Sequence, residues 1–116
     1  MDMKAKKKAL ELLDAGKFHE LYALIGPYLQ KSDPDAQYLH SCFSLAEWQE
    51  TDDEFEARMV KLTMQAARKG VPEALRKLSS WYYNGEYVAK DRAEAARLML
   101  DAKAIEAKLR NPLSPN

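Results

Sequence analysis

Residues 66–102 read AARKGVPEALRKLSSWYYNGEYVAKDRAEAARLMLDA, and the punctuation of this run decides the fold. Gly70 suits the left-handed residue that closes a helix. Pro72 suits a first helical position, where its missing N–H is not needed. Asn84-Gly85 then stops the helix that Pro72 opens. Asp91 begins the next one, with Glu94 three positions on, a spacing that lets each side chain meet a backbone N–H of the first turn. Two helices of about a dozen residues joined by so short a loop must lie side by side as an antiparallel pair.

Working outward, Pro34-Asp35-Ala36 stands 38 positions before Pro72-Glu73-Ala74, a period within the range that marks helical arrays. In this earlier copy His40 takes the place of Leu78 and Ser41 that of Ser79, while the loop around Trp48 is longer and lacks glycine. Further upstream, the stretch from Ala9 to Phe18 ends one helix at Gly16 and enters another at Phe18. The expected organisation is a single domain over residues 1–110: a helix pair at 1–31, a degenerate repeat at 32–70 and a clearer repeat at 71–109. Residues 111–116, Asn-Pro-Leu-Ser-Pro-Asn, are expected to form a flexible tail.

Periodicity agrees with this division. Phe55, Met59, Leu62 and Ala66 recur on one face of a 3.6-residue helix, and so do Ala95, Leu98, Met99 and Ala102. Leu21, Tyr22, Ile25 and Leu29 mark a third such face, but Gly26-Pro27 interrupts it, which predicts a kink or an early end. Thr51 with Glu54 forms a second capping pair, and Asp33 precedes Pro34 as an N-cap. No segment alternates with period two. The fold class is therefore all-α, about three antiparallel helix pairs forming a short α-α superhelix.

The residues of the clearer repeat resemble the Sel-one-like repeats, relatives of the tetratricopeptide repeats. Ala74, Leu78, Tyr82, Gly85, Val88, Asp91 and Ala95 fall in register with that family's pattern, and Ala66-Ala67 with Gly70 matches the close of a preceding repeat. Ser79 stands where the first repeat glycine is usual, and Tyr87 replaces the second loop glycine. The pair at 1–31 reads more like a tetratricopeptide unit. The resemblance implies a short solenoid that recognises proteins through the first helix of each pair.

Composition bounds the function. With 116 residues, 47% hydrophobic and 31% charged, the chain fits one small globular domain. Lys4, Lys6, Lys7 and Lys8 lead straight into an amphipathic helix rather than a signal peptide, and no apolar run is long enough to span a bilayer; a cytoplasmic location is expected. The lone Cys42 excludes an internal disulfide framework and reads as buried filler. It lies about 200° around a helix from His40, so the two cannot pair as nucleophile and base. Two His and one Cys give no zinc-site spacing, and no phosphate-binding glycine loop is present, so no metal or cofactor is expected. The balance of 18 basic and 18 acidic residues argues against nucleic acid as the primary partner, and a membrane partner is not expected.

What remains is recognition of another protein, and the expectation is a non-catalytic module. Its most specific form is a stoichiometric binder that occludes an enzyme or toxin, possessing a basic surface, as an inhibitor or immunity protein does. An adaptor bridging two proteins is the alternative. An enzymatic groove would have to draw on His40, Tyr38 and a nearby carboxylate, and self-assembly through a terminal helix is a further alternative. Six carboxylates lie between Glu47 and Glu56 with no Lys or Arg among them; the first-turn acids are explained by the helix dipole, but Glu50, Asp52 and Asp53 are also candidates for contact with a basic partner. Leu78, Trp81 and Tyr82 are read as facing inward. Arg76, Ser80 and Tyr83 are read as facing outward, with Tyr38, Ser41, Leu45 and Trp48 as their counterparts in the earlier copy and Tyr87 in the loop.

Overall fold

Six helices and one short 3-10 turn account for the regular structure of residues 1–111, which a computed structural model describes: α1 (Met3–Asp14), α2 (Phe18–Gln30), α3 (Pro34–His40), the turn Ala46–Trp48, α4 (Asp52–Arg68), α5 (Pro72–Asn84) and α6 (Arg92–Arg110). No strand occurs among the described residues. Asn111 follows α6, and the rest of the expected tail lies outside the described residues. The chain divides into two compact units, Met1–Gln65 and the part from Ala66 onward. Among the described residues no helix is long and apolar enough to cross a membrane.

In the first unit the Asp2 carboxylate accepts from the Ala5 N–H at 2.7 Å and starts α1. Gly16, at φ 70°, closes it while the Lys17 N–H reaches back to the Leu12 carbonyl at 2.9 Å. Helix α1 packs on α2, and both pack on α3. Between them Ala9, Leu12, Leu21, Ile25, Ala36, Leu39, Phe43 and Leu45 form one core cluster. Each fully buried Leu or Ile there contributes about 1.5–3 kcal/mol over its exposed state.

The early end expected at Gly26-Pro27 does not occur, since α2 continues to Gln30. Pro27 deprives the Ala23 carbonyl of its usual i+4 donor, but Ile25 is fully buried and Tyr28 and Leu29 pack against the core, which holds the last turn in helical form. Helix α3 is only seven residues long. Ser41 and Leu45, expected on an open face, are instead buried. The reason is chemical in one case: Ser41 Oγ bonds the Tyr38 carbonyl and receives the Thr63 hydroxyl at 3.3 Å, so its polar group is satisfied inside. Leu45 is simply part of the core cluster. Cys42 is half-buried rather than enclosed, and its thiol donates to the Tyr38 carbonyl at 3.3 Å.

Helix α4 opens on the expected capping box: the Glu54 N–H donates to Thr51 Oγ1 and the Thr51 N–H to the Glu54 carboxylate, both at 3.1 Å. Just before it Gln49 holds a left-handed backbone, φ 53°, with its side chain exposed. That conformation costs a non-glycine residue about 1–2 kcal/mol, and glycine gives up about 0.5–1 kcal/mol to chain entropy. Gln49→Gly should therefore raise the urea midpoint of unfolding, by a net gain of about 0.5–1 kcal/mol.

In the second unit α5 and α6 form the antiparallel pair that residues 66–102 predict. Gly70, at φ 84°, turns the chain, the Val71 N–H bonds the Ala66 carbonyl at 3.1 Å, and Pro72 opens α5. Gly85, at φ 73°, ends it, and a Cβ there would stand 3.2 Å from that of Lys90. Tyr87, in place of a second loop glycine, nevertheless adopts φ 60°; the Val88 N–H bonds the Glu86 carbonyl at 2.7 Å and closes a three-residue turn about it. Asp91 caps α6 through the Glu94 N–H at 3.0 Å. The reciprocal half of that box is absent, because the Asp91 N–H is taken by the Tyr82 carbonyl at 2.8 Å and Glu94 turns to Arg97. Ser79 is buried and donates to the Ala95 carbonyl at 2.6 Å, so the hydroxyl links α5 to α6 while remaining small enough for close approach.

Candidate functional site

Each unit carries its own aromatic surface, and the two differ in how firmly they are tied down. In the first unit the end of α3 and the irregular segment after it fold over α2, bringing together Tyr22, His40, Phe43 and Trp48. The Trp48 ring centroid lies 5.1 Å from Tyr22, 5.6 Å from His40 and 5.8 Å from Phe43. Phe18 stacks on Phe43 at 5.5 Å. Tyr22 forms the open edge of the cluster, 39% exposed.

Arg58 of α4 holds this cluster in place. Its guanidinium donates to the His40 carbonyl, to the Phe43 carbonyl at 2.8 Å and to both Glu50 oxygens, at 2.7 and 2.8 Å. It also lies 5.2 Å from the Trp48 ring centroid and 5.3 Å from that of Phe55. Glu50 receives a further bond from the Ser44 hydroxyl at 2.6 Å. The segment from His40 to Glu50, whose one regular element is the turn Ala46–Trp48, is thus tied to α4 through one planar fork in addition to the burial of Phe43 and Leu45.

The electrostatics follow from that geometry. The Arg58 and Ser44 hydrogen bonds draw the Glu50 carboxyl down to about 2, against an ordinary value of 4.5. His40 is lowered below 6.5, first by burial and then by the Arg58 charge. In both cases the folded state releases its proton more readily than the unfolded chain, so both groups favour folding at higher pH. Stability should be complete above the ordinary histidine value, begin to fall as pH drops below 6.5 and His40 resists protonation, and fall further between 4.5 and about 2 as Glu50 is protonated. Urea titrations across pH 7 to 3 would register both steps, and His40→Gln should remove the first alone.

The carboxylate run of the sequence is therefore partly committed. Glu47 faces His19, 2.8 Å away, Glu50 serves Arg58 and Glu54 closes the capping box, leaving Asp52, Asp53 and Glu56 exposed near the start of α4. Tyr38 is half-buried, its carbonyl accepting from Ser41 and Cys42, and Trp48 is half-buried within the ring cluster. Arg58 itself was not legible as a site residue in the sequence. The signal for it was a cation on the Phe55–Met59–Leu62 stripe, where only a paired charge can sit.

In the second unit the outward residues are as expected for Arg76, Ser80, Tyr83 and Tyr87, all exposed, the two tyrosines at 51% and 49%. Arg92 lies over the Tyr83 ring at 4.7 Å, and Tyr87 meets the buried Trp81 edge-on at 4.9 Å. Arg76 is drawn across to α6, where it pairs with Glu106 and donates to the Met99 sulfur at 3.2 Å. Among the described residues no group of three or more His, Cys, Asp or Glu could hold a metal ion. No family model, curated protein or solved structure matches this chain.

Proposed function

We propose that this chain is a non-catalytic protein-binding module of the Sel-one-like, tetratricopeptide-like kind, acting in the cytoplasm by occluding another protein. The observation that carries the reading is the pair of half-exposed rings at one end of the α5–α6 hairpin. Tyr83 and Tyr87 are held in position by Arg92 and Trp81 yet leave about half their surface to water. Rings that are already ordered lose little entropy on contact, and tyrosine and arginine dominate interface energetics once desolvated. The side-by-side packing of α1 with α2 and of α5 with α6 supports a helical-repeat scaffold, and the lone free thiol supports a reducing compartment. The exposed Asp52 and Asp53 favour a basic enzyme or toxin as the protein occluded.

An adaptor role has one observation in its favour, namely that each compact unit presents an aromatic surface of its own. Affinity isolation from the native cell tests both readings. A single protein recovered at one-to-one ratio, whose binding weakens about 30-fold with Tyr83→Ala, supports occlusion. Two partners separately lost with Tyr22→Ala and Tyr83→Ala support the adaptor. Binding indifferent to Tyr83, or turnover of a small molecule that vanishes with His40→Ala, overturns the proposal.

A further inference from the structure

Helix α6 has two apolar faces. One contains Ala95, Leu98 and Ala102 and is buried within its own unit. The opposite one contains Ala93, Ala96, Leu100, Ala104 and Ala107, all exposed, with Leu100 67% open to water. At about 100° per residue these five fall within an arc of about 80°, a continuous stripe along the helix. Its two edges carry cations. Arg97 and Lys108 lie along one, Lys103 and Arg110 along the other.

Arg97 is neutralised by Glu94 and Asp101. Lys103, Lys108 and Arg110 are exposed and have no carboxylate partner among the described residues. The C-terminal half of the stripe is thus a shallow apolar track between uncompensated positive charges. We infer that this face of α6 docks an amphipathic α-helix of a partner protein, one whose apolar stripe is edged by Asp and Glu. This adds to the binding module proposed above a second contact, for an acid-edged helix, and rests on that reading; it is distinct from Tyr83 and Tyr87 and from the acidic Asp52 and Asp53 of the first unit.

Charge and shape select this occupant. A second copy of the same helix would set basic edges against basic edges. A lipid surface would satisfy the charges, but interfacial helices present bulky Leu, Phe and Trp to the acyl region, and here four of the five residues are alanines. Alanines suit another helix instead, because they let two backbones approach closely and leave room for the partner's larger side chains.

The test uses the full chain and two synthetic 18-residue helical peptides that share a Leu-rich face, one flanked by Glu and the other by Lys. Fluorescence anisotropy should detect the Glu peptide and not the Lys peptide, with affinity falling as salt rises. Leu100→Glu, at an exposed position where circular dichroism should stay unchanged, should weaken the Glu peptide at least tenfold. The pair Lys103→Glu/Lys108→Glu should reverse the preference. Binding of both peptides equally, of neither, or of either without regard to Leu100 overturns the inference. So does a dimer by sedimentation that Leu100→Glu dissolves, which gives the face to a second copy, or Leu100-dependent flotation with phosphatidylserine vesicles. Tyr83→Ala should leave the peptide affinity intact, so loss of this surface and loss of the binding-module reading are separable.

Discussion

Arg58→Ala is expected to destabilise the first unit by about 2–4 kcal/mol, far more than the loss of an ordinary surface arginine. The side chains of Arg58 and Glu50 are 19% and 16% exposed, so the pair is sheltered without being fully dry. Removing the guanidinium leaves the Glu50 carboxylate short of its main donor and strips a donor from the His40 and Phe43 carbonyls. It also uncovers one side of Trp48. Arg58→Lys separates these contributions: the ammonium can keep one charge contact but cannot reproduce the fork, so roughly half the loss should remain. Chemical denaturation followed by circular dichroism measures both. If Arg58→Ala costs under about 0.5 kcal/mol, the segment from His40 to Glu50 is held by packing alone and the assigned role of Arg58 is wrong.

Trp81→Ala should cost the second unit about 3–5 kcal/mol, the range for emptying a buried aromatic site. The ring is 5% exposed, on the inner face of α5 beside Leu78, with Tyr87 packed on its edge. The loss is compounded at Tyr87, whose left-handed backbone is strained and is held partly by that ring contact. A thermal melt of the variant should show the α5–α6 loop loosening as well, read as faster amide exchange at Val88 and Asp91, whose N–H bonds close the loop. Trp81→Phe, which keeps most of the volume, should recover more than half of the stability.

Sequence and structure agree where a single residue type carries a backbone requirement. Gly16, Gly70 and Gly85 all sit at positive φ, Pro72 opens its helix and Asp33, Thr51 and Asp91 all cap theirs, because capping and left-handed geometry are local and need no knowledge of the rest of the chain. The misses are tertiary. Pro27 remains inside α2 because distant core residues hold that turn, and Ser41 turns inward because Thr63, 22 positions away, completes its hydrogen bonding. Glu50 reads in sequence as one of six free acids, and only folding brings it to Arg58. Surface candidates fared the same way: the exposure of Tyr83 and Tyr87 follows from helix phase and loop position, whereas the capture of Arg76 by Glu106 depends on which α6 turn lies opposite.

The chain places one indole in each compact unit, Trp48 within the ring cluster and Trp81 under Tyr87. Intrinsic emission can therefore be dissected into two independent gauges by Trp48→Phe and Trp81→Phe, each variant keeping one fluorophore. In each variant, an emission curve superimposable on that variant's own circular dichroism curve would mark a single cooperative transition, and an emission midpoint displaced from it would show the half that holds the remaining indole yielding earlier or later than the rest. Because His40 lies 5.6 Å from Trp48, the first gauge also senses imidazole charging directly, as a dimming of the indole that the second gauge will not share.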